Sequence, residues 1–442
     1  MLEKFSIPTE SKATLVSIVC PGFKGHSTLD ETEKSLDELR ELLRTLGVVP
    51  QEQFIQHRKK LEAATVIGTG KLEDIAKKAK EDGSLFLALD FEITASQAKN
   101  LKKMTGMEVV DRCSIILEIF AKHAHTKEAK TQIEISRLEY MLPRLTALWT
   151  HFTRIRGGIG HRTGEGEQQL ELDRRYVRER IRHYKKQLES VVISREEQRK
   201  RRTQNVISAA IVGYTNAGKS SLLNRLCKVD ILEEDKLFST LDSTCRTLNP
   251  DSKPPMVLVD TVGLLSNLPT QLISGFKSTL ESAEFADLLV IVCDISDKNH
   301  DRHLNVVYEF LNELGIGDKE KFVVFNKSDR LLTMEEKLNA KLMLRTHPHS
   351  FLVSTFDDQD MIKLREYIID FFLSKQKHYE LLVPYADGEA HSQVTSKTNV
   401  ISRTESESGI IYKVRAPEFI FLPLGLNKYL ISTSSTSPTS TF

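Results

Sequence analysis

Eight consecutive residues, Gly213-Tyr214-Thr215-Asn216-Ala217-Gly218-Lys219-Ser220, leave little freedom in how the middle of this chain folds. They spell Gly-x4-Gly-Lys-Ser. The apolar run Ile207 to Val212 ahead of them predicts a strand, and Ser221 to Leu226 behind them predicts a helix. That is the setting a phosphate-binding loop requires. Its glycines let backbone N–H groups turn inward around phosphate oxygens, and the helix N-terminus adds favourable partial charge. Lys219 is placed to neutralise β- and γ-phosphate charge, and Ser220 to ligate Mg2+. A glycine turn ahead of a helix is the plainer alternative, and the flanking strand and helix argue against it.

Downstream, Met256 to Asp260 is an apolar strand ending in an acid, followed by Thr261-Val262-Gly263. In phosphate-loop proteins such an acid binds Mg2+, usually through water, and the glycine N–H meets the γ-phosphate. Asn326-Lys327-Ser328-Asp329 follows another strand, Lys321 to Phe325. A carboxylate at Asp329 can accept both the N1–H and the N2 amino group of guanine, and adenine offers neither in that arrangement. Asn326 would tie this loop to the phosphate loop, and Lys327 would lie along the base. Each tetrapeptide is weak by itself. In this order, each after an apolar strand, the three imply a guanine-nucleotide-binding domain.

Two further positions complete the expected site. Phe238-Ser239-Thr240-Leu241-Asp242 lies where a switch loop belongs, with Thr240 expected to reach Mg2+ and the γ-phosphate and Thr244 as its rival. Phe351 to Thr355 predicts a strand and loop in which Ser354 and Thr355 offer backbone N–H groups to guanine O6, although an alanine is usual where Thr355 stands. Many GTPases orient the attacking water with a Gln just after the Asp-x-x-Gly glycine. Here Leu264 and Leu265 follow Gly263, and neither can bond a water. Hydrolysis by the domain alone is therefore expected to be slow, resting on Asn216, Lys219, Thr240 and Gly263. Asn216 has two readings of equal weight: its amide oxygen holds a monovalent cation, K+, against the phosphates, or it makes a simple loop hydrogen bond.

The rest of the 442 residues organises around this core. Residues 1–125 alternate strands, such as Ala13 to Val19 and Leu85 to Leu89, with helical spacing at Leu36, Leu39, Leu42 and Leu43, which predicts a parallel α/β domain. Thr94-Ala95-Ser96-Gln97 reads as a capping start to a helix ending near Gly106. Residues 126–204 read as a helical hairpin: a helix with Ile135, Leu138, Leu142, Leu145 and Trp149 on one face, a Gly-rich stretch, then a helix from about Leu170 to Arg202. Residues 205–375 form the nucleotide domain with a parallel or mixed sheet flanked by helices. Residues 376–430 are expected to form a small C-terminal α/β domain, and 431–442, nearly all Ser and Thr, a disordered tail.

Charge and cysteines narrow the class. The formal net charge is only +1, yet residues 151–205 carry 15 Lys+Arg against 8 Asp+Glu, a possible nucleic-acid footprint that a solvated helical face would equally produce. Five scattered cysteines never fall at zinc-ligand spacing and read as reduced thiols. The longest apolar run, Leu288 to Cys293, is strand-sized, and Met1 to Phe5 lacks the pattern of a secretory signal. Membrane-spanning, secreted disulfide-rich and zinc classes are disfavoured.

Beyond the nucleotide core, five segments resemble the HflX GTPases over most of the chain. They are Ile67-Gly68-Thr69-Gly70-Lys71, Val110-Asp111-Arg112 ahead of Ile115 to Phe120, Tyr140-Met141-Leu142-Pro143-Arg144-Leu145, Gly157-Gly158-Ile159-Gly160, and Leu170-Glu171-Leu172-Asp173-Arg174-Arg175. The family's Arg-Gly-Pro-Gly-Glu tip departs to Arg162-Thr163-Gly164-Glu165-Gly166-Glu167, and Leu264 replaces a frequent Phe. The resemblance implies a cytoplasmic GTPase that binds the large ribosomal subunit and its ribosomal RNA through the N-terminal and helical domains, and that dissociates stalled ribosomes under stress. It also implies that some members use ATP in the N-terminal domain. The RNA contacts would then come from Gly157, Gly158, Gly160, Arg162, Arg174, Arg175 and Arg178. DNA binding and integral membrane insertion are not expected. A monomer is expected, and peripheral membrane association stays open. Two rivals also stay open: a ribosome assembly or quiescence factor that binds without splitting, and a tRNA-modification GTPase, for which no modification site is visible.

Overall fold

The computed structural model describes residues 7–8, 10–145, 171–189, 206–227, 244–266 and 282–434. The chain divides into two compact units.

The first unit carries a four-stranded sheet in the order β2-β1-β3-β4 (Val49–His57, Lys12–Val19, Phe86–Leu89, Glu108–Asp111), every pair parallel. β1 and β3 are almost wholly buried, as an apolar run covered on both faces requires. Helix α1 (Leu29–Leu46) packs Leu36, Leu39, Leu42 and Leu43 inward, starts at an N-cap Thr28 that accepts from Glu31 N–H, and stops at Gly47 in the left-handed region. The capping box read at Thr94 and Gln97 is formed and opens Ala95–Thr105, with Gly106 as C-cap.

Two of the quoted segments prove to be one constellation. Asp111 caps Arg112–His123 by accepting from Ser114 N–H, and its carboxylate also accepts from the Tyr140 hydroxyl at 2.7 Å and from Arg144 at 3.1 Å. Arg112 turns the other way and is buried against Asp90 at 2.8 Å. Asp90, Asp111 and Arg112 are buried, where each would be costly unpaired.

Helix α5 (Lys127–Met141) runs into a 3-10 turn at Leu142–Arg144. A further helix, α6, covers residues 171–189. Leu138 and Leu145 pack with Val177 and Ile181 of α6 in a small apolar cluster. Flanking ion pairs join Arg180 to Glu134 at 3.1 Å and Lys185 to Glu139 at 2.7 Å. Trp149, the Gly-rich stretch and the end of the second expected helix lie outside the described residues.

The second unit holds a six-stranded sheet in the order β10-β9-β8-β5-β7-β6 (Ser350–Leu352, Lys321–Asn326, Leu288–Asp294, Ile207–Gly213, Met256–Asp260, Cys245–Asn249), parallel except for β6, which runs antiparallel to β7. Central β5 (Ile207–Gly213) and β8 (Leu288–Asp294) are nearly continuous buried apolar runs. Helices α7 (Lys219–Cys227) and α10 (Asp358–Ser374) cover one face, burying Leu222, Leu223, Leu226, Leu364 and Ile368 against Ile211, Leu258 and Val324.

A third sheet, antiparallel in the order β12-β13-β11-β14 (Asn399–Ser406, Gly409–Ala416, Lys377–Val383, Leu430–Ser434), follows with helix Gly388–Lys397 against it. Its join to the second sheet is specific. The Asn399 side chain accepts from Lys253 N–H at 2.8 Å and donates to the Lys253 carbonyl at 2.7 Å, pairing as a strand residue would. The tail expectation needs correcting at its start. Leu430–Ser434 forms β14 and pairs with His378 to Leu381 of β11, because Ile431 and the Ser/Thr residues suit an edge strand that has a partner. Residues 435–442 lie outside the described residues. Among the described residues no helix is long and apolar enough to cross a membrane.

Candidate nucleotide site

The site lies beyond the C-terminal ends of β5, β7, β8 and β9 (Lys321–Asn326), where ligands of open parallel sheets collect. Gly213 ends β5 so close to β8 that a Cβ would stand 2.3 Å from the Val292 carbonyl oxygen. The chain then turns through Asn216 at φ 59° and Gly218 at φ 91° into α7. Asn326 closes the turn from outside: its side-chain amide donates to the Ala217 carbonyl at 3.0 Å, and a Cβ on Gly218 would meet that amide at 2.3 Å. The phosphate loop and the Asn-Lys-x-Asp loop are thus tied as the sequence reading expected.

Gly263 closes the other side. A Cβ there would fall 2.8 Å from Thr215 Cγ2 and 3.0 Å from Lys219 Nζ. Backbone bonds from Leu264 N–H to the Gly213 carbonyl (3.0 Å) and from Thr215 N–H to the Leu264 carbonyl (2.8 Å) lace the two loops together. Tyr214, Thr215, Ala217, Thr261 and Val262 are all buried in this lacing, and Thr261 donates its hydroxyl to the Ile211 carbonyl at 2.8 Å.

Lys219 is 6% exposed and donates to the Tyr214 carbonyl at 2.8 Å. Burial lowers its pKa to about 8, against the opposing pull of Asp260 and with help from the positive charge of Lys327. An ammonium in that state gains from any anion placed beside it. Ser220 donates to the Asp260 carboxylate at 2.8 Å, and Asp260 is fully buried. A hydroxyl and a carboxylate side by side are a hard-oxygen donor pair that fits Mg2+. The Thr215 hydroxyl is buried in the same loop with no hydrogen-bond partner, as a group awaiting a ligand oxygen would be.

On the base side, Lys327 sits at φ 63° with its ammonium held by the Asn216 carbonyl at 2.7 Å and by Asp294 at 2.8 Å, which stretches its stem along the pocket wall. Asp329 is exposed, and its carboxylate accepts from the Ser354 hydroxyl at 2.6 Å. Ser354 N–H is in turn held by Asp360 at 2.9 Å, and Ser328 N–H by the Val353 carbonyl at 3.2 Å. Thr355 is buried beside them. Asp294 and Asp360 were missed in the sequence. Asp294 had a signal, an acid closing an apolar strand, whereas Asp360 in a helical first turn had none.

The side chain of Asn216 is exposed. Phe238, Ser239, Thr240, Leu241 and Asp242 lie outside the described residues, as do Gly157, Gly158, Gly160 and Arg162. Thr244 is described, and its carbonyl accepts from Asp260 N–H at 2.9 Å. Arg174, Arg175 and Arg178 lie on α6. Arg175 donates to Glu179 at 3.1 Å, and Arg178 stands 4.0 Å from Glu171. Surface pairs of this kind contribute little and exchange readily for another anion.

Three family models match the chain: "GTP-binding GTPase N-terminal" over residues 33–121, "GTP-binding GTPase Middle Region" over 123–202, and "50S ribosome-binding GTPase" over 208–327. GTPase HflX of Lacrimispora saccharolytica is 39% identical over 407 residues, spanning 91% of this chain and 94% of that protein. GTPase HflX of Alkalihalophilus pseudofirmus is 36% identical over 387 residues, 87% and 89% of the two chains. A solved structure of SsGBP with GDP superposes with a TM-score of 0.46 at 25% identity, over 81% of this chain and 98% of that one. With relatives of this identity aligned nearly end to end, and a phosphate loop, an Asp-x-x-Gly loop and an Asn-Lys-x-Asp loop laced into one pocket, the chain belongs to the HflX family and is a GTP-binding, GTP-hydrolysing protein.

Proposed function

We propose that this GTPase binds the large ribosomal subunit and dissociates stalled ribosomes, with GTP hydrolysis timing its release. The observation that carries the reading is the match of residues 208–327, the laced nucleotide pocket itself, to a family described as 50S ribosome-binding. The excess of Lys and Arg in residues 151–205, with Arg174, Arg175 and Arg178 on α6, supplies a surface suited to ribosomal RNA phosphates. The setting we propose is the cytoplasm, with the protein acting as a monomer.

Within the pocket, Lys219 would leave the Tyr214 carbonyl for the β- and γ-phosphate oxygens, and Gly263 N–H would meet the γ-phosphate. Ser220, Asp260 and Thr240 would hold Mg2+, which would supply charge to neutralise the phosphate oxygens. Asp329 and Lys327 would read and flank guanine, with Ser354 and Thr355 closing the pocket. Leu264 and Leu265 are 4% and 2% exposed and apolar. Neither orients water, so the free protein should turn over slowly and the ribosome should accelerate it. Asn216, exposed over the loop, is the residue to hold K+ there.

Sedimentation of intact ribosomes with the protein and a non-hydrolysable GTP analogue tests this. Conversion of whole particles to subunits supports splitting. Stable binding to intact particles refutes it in favour of a nucleotide-gated assembly or quiescence factor.

A further inference from the structure

Tyr214 follows the first glycine of the phosphate loop, and backbone bonds hold its peptide on one side. Thr215 N–H and Leu264 N–H close the two bonds to the Gly263–Leu264 loop, and Lys219 hangs from the Tyr214 carbonyl at 2.8 Å. On the other side is its ring, 5% exposed, lying flat on the imidazole of His303 with centroids 3.9 Å apart and planes 11° from parallel. His303 comes from helix α8 (His300–Glu313), 89 positions away, and belongs to none of the nucleotide-binding motifs.

The imidazole is itself fixed. Its Nδ1 stands 3.8 Å from the Asp297 carboxylate, the His303 backbone N–H reaches the Asn299 carbonyl at 3.0 Å, and Asp297 accepts from Asn299 N–H at 2.8 Å. Asp297 shares a turn with Asp294, which accepts from the Ser296 hydroxyl at 2.6 Å and holds Lys327 at 2.8 Å. One turn after β8 therefore braces the base side through Asp294 and the phosphate side through Asp297.

We propose that His303 is a positioning residue for the phosphate loop, its ring clamping Tyr214 so that the peptide carrying the Lys219 contact stays where phosphate oxygens need it. The inference rests on the nucleotide reading of the pocket. A flat aromatic stack constrains a ring in tilt and distance together. Releasing it lets the Tyr214 peptide rock about its remaining backbone bonds, and the loop then has to be reordered each time a nucleotide binds. The loss falls on binding more than on the chemical step.

The test is a double-mutant cycle on GDP affinity with the full chain, alongside ADP as the specificity control and a thermal melt of each variant. His303→Ala should raise the GDP dissociation constant about three- to tenfold, with a smaller change in single-turnover hydrolysis at saturating GTP. His303→Phe, which keeps a flat ring, should restore affinity. Tyr214→Leu should cost about as much as His303→Ala, and the double variant no more than either alone. Wild-type affinity in His303→Ala, additive losses in the double variant, or failure of His303→Phe to restore binding would each overturn the positioning role. A wild-type chain that does not prefer GDP to ADP would instead overturn the nucleotide reading beneath it.

Discussion

Replacing Asp329 by Asn changes a single atom type at the base pocket. The carboxylate is exposed and rigidly presented: Ser354 donates to one oxygen at 2.6 Å, and Asp360 fixes Ser354 at 2.9 Å. Asn keeps an oxygen that can still accept from Ser354, so the loop should keep its shape and stability should move little, as for most exposed sites. The other end of the side chain is what changes. An amide N–H now faces guanine's N2 amino group, donor against donor, and the remaining oxygen no longer carries charge. Charge-assisted bonds of this kind contribute about 1.5–3 kcal/mol, which converts to a loss of roughly 10- to 150-fold in affinity. Xanthine carries a carbonyl where guanine carries that amino group, so the Asn variant should bind XDP better than the wild type does. Titration calorimetry with GDP and XDP on both proteins measures the pair of effects. A variant that binds GDP within threefold of wild type, with no gain for XDP, would refute the assignment of the base pocket.

GDP affinity should be flat below pH 8 and fall above it. The nucleotide-free pKa of Lys219 is lowered to about 8 by burial, and phosphates raise it, so binding takes up a proton only above that pH; a pH titration of affinity checks the break, and its absence in Lys219→Met would locate it. The same depressed pKa means the unfolded chain binds more protons between about 8 and 10.5, so the free protein gains stability from Lys219 as pH rises across that window, which melts at fixed ionic strength would show. Single-turnover hydrolysis should be faster in K+ than in Na+, and Asn216→Ala should remove the difference; equal wild-type rates in the two salts would end the cation hypothesis. Reversing charge at Arg174 and Arg175 should weaken ribosome binding and flatten its salt dependence while leaving GDP affinity unchanged, and pelleting assays across a salt series would expose the alternative, that the helix carries these charges for solvent alone.

How much of this was legible beforehand depended on the range of the forces involved. Strands β5, β7, β8 and β9 were readable because a central parallel strand is a continuous apolar run, and the cap at Thr94 because it is closed within four residues. Strands β2 and β12 carry Gln, Glu, Ser and Arg, β2 half-buried and β12 largely exposed, so neither periodicity nor hydropathy marks them; their pairing partners do. At the site, the motif residues were legible as residue types in order. The supporting contacts were not. Asp360 behind Ser354 and His303 beneath Tyr214 act through spatial neighbours 6 and 89 positions away, and nothing local to either distinguishes it from a surface helix residue. The ion pairs of Arg175 with Glu179 and of Lys185 with Glu139 likewise show that part of the basic surplus in residues 151–205 is already matched by acids on and beside its own helix.

The two-pronged grip of Asn399 on the Lys253 backbone makes the third sheet something other than a hanging appendage. A side chain that imitates a strand neighbour cannot slide without breaking both bonds at once, so the joint resists shear better than a linker or an apolar patch would. Lys253 lies in the connection between β6 and β7, and β6 begins one residue after Thr244, whose carbonyl receives Asp260 N–H. The C-terminal sheet is therefore tied, through two side-chain bonds and the covalent chain, to the strand that ends in Asp260. That sheet and the acid that closes the nucleotide pocket are anchored on the two ends of one short strand pair.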